Sequence, residues 1–312
     1  MEKIDVFAHV LLPNFYQKML SIDPELPKKI PFINNEVLQN MEERKKHRVD
    51  GVKQIISYVN VNPEDYVDSN KSYELCKEAN EELLDTLKKH TDIFYGGVAM
   101  IPMNNVSGAI DIMEQQVKPN KKLYGIQLFT RALGKSIADE EYEKIFETAS
   151  KLDLVIWLHP VFDNRKPDNN IVFSWEYELS QAMMQIVEKG IFKKYPNLKI
   201  IVHHAGAMIP FFAGRIKYIL GEEKEADFKK FYVDTALLGN TKALELAREY
   251  FGNDHIVFGT DAPLGIMPAG ATKEIDDAIS NMNIEAKEIE NIYCNNIINI
   301  LNESNKGGNE NE

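Results

Sequence analysis

The chain has 312 residues, with 36 basic side chains against 48 acidic ones and a net charge of −12. Such an acidic surplus offers no cationic surface to neutralise phosphates, which disfavours nucleic acid and anionic membranes as partners. Two cysteines, Cys76 and Cys294, cannot build a disulfide framework or a cysteine metal site.

No stretch approaches the roughly 18 consecutive apolar residues of a membrane span. The first residues run straight into a strand pattern without the order of a secretory signal. A soluble, cytoplasmic protein in a reducing compartment is the expectation. Residues 4–9, Ile-Asp-Val-Phe-Ala-His, form the first predicted strand. Alternation puts Asp5, Phe7 and His9 on one face.

Prolines at 13, 24, 27 and 31 predict an irregular excursion over residues 11–35. A charged helical pattern over 36–47 leads to a second strand from Val52 to Val59. Apolar residues at helical spacing (Leu75, Ala79, Leu83, Leu84, Leu87) predict a helix over 71–90 before a third strand at 94–100. A helix over 106–117, a fourth strand at 124–128, a helix over 139–152 and a fifth strand ending at His159 follow. Next come a long helix over 175–194, a sixth strand through His203 and His204, a seventh at 231–235 and an eighth ending at Asp261. Strands alternating with helices predict a parallel sheet, and eight of them a closed (β/α)8 TIM barrel over residues 1–302, followed by a disordered polar tail at 303–312.

His9, His159 and Asp261 each end one of these strands. The carboxyl end of a barrel strand is where such folds collect their active-site groups, and imidazole with carboxylate suits one divalent ion, Zn2+ first. Any one of the three has an ordinary structural reading, a packed histidine or an aspartate in a turn; their recurrence at the same relative place argues for a set. Of the adjacent His203 and His204, alternation lets only one reach the centre. Arg44, Arg48 and Arg165 read as solvated, Trp157 and Trp175 as packing residues, and the loop from Val161 to Phe173 as a candidate lid.

The segments around His9, Leu158-His159-Pro160, His204-Ala205-Gly206 through Pro210-Phe211 with Gly214-Arg215, and Gly259-Thr260-Asp261-Ala262-Pro263 resemble the amidohydrolase superfamily. The branch resembled contains aminocarboxymuconate-semialdehyde decarboxylase and related aromatic-acid decarboxylases. The resemblance implies metal ligands at His9, His159 and Asp261, and a second strand-one ligand at position 7, where this chain has Phe7. It implies acid/base work for His204 and Asp261, with His204 rather than His203 facing the pocket. It implies a substrate carboxylate held by Arg215, in some relatives across the interface of a homodimer. The expected activity is a metal-dependent decarboxylation, or hydrolysis of an amide, ester or lactone, of a small carboxylated substrate. The contrasting expectation is a metal-free barrel that has lost catalysis at Phe7 and serves as a binding protein.

Overall fold

The computed structural model describes residues 2–161 and 170–306. Strands β1 (Lys3–Val10), β2 (Val52–Tyr58), β3 (Phe94–Ala99), β4 (Leu123–Phe129), β5 (Val155–His159), β6 (Ile200–Val202) and β7 (Tyr232–Val233) lie in that order in one sheet. Every neighbouring pair is parallel. Residues 256–262 occupy the eighth place without becoming a regular strand. Single bridges tie Ile256 to Val233 and Ala262 to Ala8. The amides of Val6, Asp261 and His9 donate to the carbonyls of Phe258, Phe7 and Ala262. The sheet therefore closes on itself as the expected (β/α)8 barrel.

Its interior is filled by a cluster that includes Ile4, Val6, Phe7, Val98, Trp157 and Val257, while a larger apolar layer joins the outside of the strands to the helices. Trp157 belongs to the inner cluster and donates from Nε1 to the Val6 carbonyl at 2.9 Å. The face shared by Asp5, Phe7 and His9 is not what forms. The register of β1 against β2 shifts between Asp5 and Ala8, a bulge that lets Val6 and Phe7 both join the interior. Asp5 bonds instead to Thr260 and Gln54.

Helix α1 (Ser69–Lys89) starts at Asp68, whose side chain accepts from the Asn70 and Lys71 amides, and it buries Leu75, Ala79, Leu83 and Leu87 as its spacing predicts. Helix α2 (Ser174–Glu188) is shorter than expected. Gly190 takes φ 66°, a left-handed value that ends a helix, and a separate turn, Ile191–Lys194, follows. Pro13 begins a helix, Pro13–Ile22, rather than an irregular stretch, because proline at the first helical position gives up no hydrogen bond. Helix α3 (Asn296–Lys306) carries on past the boundary drawn at residue 302. Residues 307–312 and most of the candidate lid, with Arg165, lie outside the described residues. Among the described residues no helix is long and apolar enough to cross a membrane.

Candidate metal centre and active site

Four buried side chains converge inside the mouth of the barrel. His9 comes from β1, His159 from the last residue of β5, His203 from just beyond β6, and Asp261 from the irregular eighth position. One ligand atom from each falls within 4.8 Å of all the others. Asp261 Oδ1 lies 3.2 Å from His9 Nε2 and 3.4 Å from His203 Nε2. These three atoms and His159 Nε2 are buried, and none has a hydrogen-bond partner among the described residues. Leaving four polar atoms unsatisfied in one small space costs roughly 1–3 kcal/mol for each group. A cation at their centre would satisfy all four.

The opposite side of each imidazole is already engaged. His9 Nδ1 lies 3.2 Å from Ser57 Oγ, and His159 Nδ1 donates to the Pro160 carbonyl at 2.8 Å with the Asn60 amide 3.3 Å away. His203 Nδ1 is bonded to Asp234. Asp234 in turn accepts from the Ala205 amide at 2.9 Å and the Ala236 amide at 3.1 Å. Holding Nδ1 in this way turns the Nε2 lone pair inward, the arrangement by which an outer partner orients a metal-binding histidine.

Burial lowers the His9 and His159 pKa values. At His203 burial works in the same direction, but the Asp234 and Asp261 carboxylates outweigh it and hold the pKa up at about 10, so a metal ion would have to displace a proton from Nε2 to use its lone pair. Burial would raise the Asp261 pKa, yet His203 and His9 hold it well below the usual carboxylate range. The carboxylate is therefore ionised and able to serve as a ligand or as an acceptor.

The structure corrects the exclusion of His203. Strand β6 ends at Val202, and His204 takes φ 54°, so strand alternation does not apply to this pair. His203 points at Asp261, while His204 stands beside it with ring centroids 4.1 Å apart. His204 Nδ1 is 2.7 Å from Glu176 Oε1. The sequence did carry a signal for His203: Asp234 lies within the predicted seventh strand, and a carboxylate buried there needs a partner. Phe7 stacks on His203 at 4.1 Å between centroids.

Arg215 is exposed and makes no ion pair with another described residue. Arg44, expected to be solvated, is buried instead; it donates to Gln54 at 2.8 Å and to the His9 carbonyl at 2.8 Å, fixing the end of β1.

A parallel barrel with three inward imidazoles and a carboxylate at the carboxyl ends of its strands carries the donor set of a divalent-metal centre. The chain belongs to the amidohydrolase family, whose profile, described as Amidohydrolase, matches residues 57–302.

It is 26% identical over 217 residues to 6-methylsalicylic acid decarboxylase of Penicillium expansum, covering 63% of this chain and 65% of that one. The match thus spans just under two thirds of the length of that curated relative. A putative amidohydrolase from Staphylococcus aureus is similar in structure, with a TM-score of 0.77 and 25% identity over 97% of this chain and 100% of the other. Dihydroxybenzoic acid decarboxylase from Polaromonas sp. JS666, solved with bound manganese and the inhibitor 2-nitroresorcinol, shares the fold, with a TM-score of 0.79 and 22% identity over 96% and 97% of the two chains.

Proposed function

We propose that this protein is a divalent-metal-dependent, non-oxidative decarboxylase of a small carboxylated aromatic substrate. The metal is held by His9, His159, His203 and Asp261. The observation that carries the reading is the convergence of four buried, unpartnered ligand atoms. Similarity to decarboxylases selects among the reactions such a centre supports.

Three nitrogens and one carboxylate oxygen favour Zn2+, and the manganese in the Polaromonas structure makes Mn2+ the ion to compare it with. The bound ion would supply Lewis acidity, polarising substrate oxygen. Asp261 stays ionised beside it, and His204 moves the proton that replaces the lost carboxyl group. Trp175, with ring centroids 5.9 Å from His159 and 6.0 Å from His204, forms an apolar wall over this space. Arg215 acts on a substrate carboxylate from a neighbouring subunit of a homodimer, a role taken from the family resemblance and supported by its exposure on its own chain.

Elemental analysis of the purified protein is expected to give close to one metal per chain. His203→Ala should lose it together with His9→Ala and His159→Ala. The protein reconstituted separately with Zn2+ and Mn2+ should release CO2 from at least one of 6-methylsalicylate, 2,6-dihydroxybenzoate and 5-carboxyvanillate. Full metal content in His203→Ala would remove that residue from the centre. A metal-loaded protein that hydrolyses lactones or amides and releases no CO2 would overturn the decarboxylase reading.

A further inference from the structure

A second cavity, of about 30 Å3, is lined by residues of the short helix Met41–Lys46 and the turn after it, of β2, and of the segment that follows Asp261. Arg44, His47, Arg48, Gln54 and Thr272 are its polar lining, and among the described residues no carboxylate lines it. Arg44 is only 5% exposed. Two of its guanidinium nitrogens are engaged by the protein: Nε donates to Gln54 Oε1 at 2.8 Å, and Nη1 to the His9 and Val37 carbonyls at 2.8 and 3.4 Å. The third, Nη2, is buried and has no hydrogen-bond partner among the described residues. It is therefore the nitrogen that Arg44 presents to the cavity. Asp5, the carboxylate whose field reaches Arg44, is joined to it through Gln54, whose Nε2 donates to Asp5 Oδ2 at 3.1 Å.

Thr272 opens the helix Thr272–Ser280, and Ala271 before it has no side-chain oxygen to accept from the first amides. A helix start left in this way favours negative charge beside it. Glu274, the acidic side chain of that first turn, does not line the cavity. His47 and Arg48 are partly exposed and already face acids, Glu43 at 3.3 Å and Asp92 at 4.0 Å, so they add positive potential at the entrance. An enclosed water takes about 10–15 Å3 of such space, which limits the cavity to an anion of roughly three or four heavy atoms. We propose that this cavity is a binding site for one small oxyanion, of the size of a formate, bicarbonate or nitrate group, held by Arg44 Nη2 beside the start of the helix Thr272–Ser280. The site stands apart from the decarboxylase reading. Because Arg44 also holds the His9 carbonyl, a bound anion stabilises the folded chain by mass action.

The probes are 13C-formate, bicarbonate and nitrate, titrated separately into the full chain in chloride-free buffer. Gluconate, too large for the cavity, keeps the ionic strength constant. Each titration is run before and after chelation, and the binding that survives chelation is read, which removes any anion held at the metal centre. The thermal midpoint should rise saturably with at least one probe, and the 13C-formate line should broaden on adding protein. Arg44→Lys keeps the charge and loses the fork, and should weaken binding by about tenfold or more. Ala269→Leu adds bulk to the cavity wall without touching the guanidinium; it should weaken binding as much, and it gives the readout if Arg44→Lys does not fold. Arg48→Gln should cost about threefold through the lost potential. If none of the three anions binds saturably, or if Ala269→Leu binds them as tightly as the unaltered protein, the proposal is overturned.

Discussion

At the scale of single residues, Phe7 and His203 have to be understood together. The family resemblance asks for a ligand at position 7, and a phenyl ring offers no lone pair. The ring instead fills the barrel interior and stacks on His203, which brings its own nitrogen to the cluster from the other side of the barrel. A centre judged from position 7 alone looks depleted; judged from its unpartnered atoms it has four donors.

Glu64 illustrates a different consequence of burial. It sits in the short turn Pro63–Asp65 after β2 and has no cationic partner among the described residues. Burial pushes its carboxyl up to about 8 from an ordinary 4.5. Because the folded-state value is raised, the fold favours the protonated form: this contribution is present at low pH and is lost as pH rises from 4.5 through about 8. Glu64→Gln, neutral throughout, should remove that loss and stabilise the protein by on the order of a few kcal/mol at pH 9. Thermal melts of both proteins from pH 5 to about 9 check it. Parallel curves would mean that Glu64 ionises in the fold as it does in the unfolded chain.

At the scale of elements, the strands of the barrel show how close their backbones come. Gly125 of β4 is paired with Val155 of β5, and a Cβ at position 125 would lie 1.8 Å from the Val155 carbonyl oxygen. Neither strand has room to withdraw inside a closed sheet. Gly125→Ala should therefore destabilise by on the order of 3 kcal/mol or more. Gly214→Ala, with no described atom within 4 Å of the added carbon, should leave the midpoint of urea unfolding nearly unmoved. Equal midpoints would show that the sheet relaxes around the methyl group.

These elements also show what was legible. Short runs of β-branched and aromatic residues located β1 to β5 and the helical spacing located α1, because those signals are local. The bulge in β1, the left-handed glycine after α2 and the early end of β6 leave no periodic trace; they are set by which residues the closed barrel admits. That is why His9, His159 and Asp261 can be read as a set from strand ends, while alternation admits only one of His203 and His204 and the family resemblance selects His204, although the strand ends before either.

At the scale of the whole molecule, the surface is uneven. The segment after β6 exposes Phe211 at 77%, Tyr218 at 84% and Ile219 at 64%, with Arg215 between them. The start of α2 adds Tyr177, exposed at 54%, and the two regions are tied by the Met208 amide donating to Ser180 Oγ at 3.1 Å. Large apolar side chains exposed in this number on a chain with net charge −12 are costly to leave in water. The homodimer proposed above would cover these side chains, and a two-fold contact would place each copy's Arg215 beside the other's surface. Light scattering at micromolar concentrations should give twice the 35.7 kDa chain mass. Tyr218→Asp combined with Phe211→Asp should shift the mass toward one chain, because burying two carboxylates without partners opposes association. A single-chain mass for the unaltered protein across that range would remove the dimer, and with it the role proposed for Arg215.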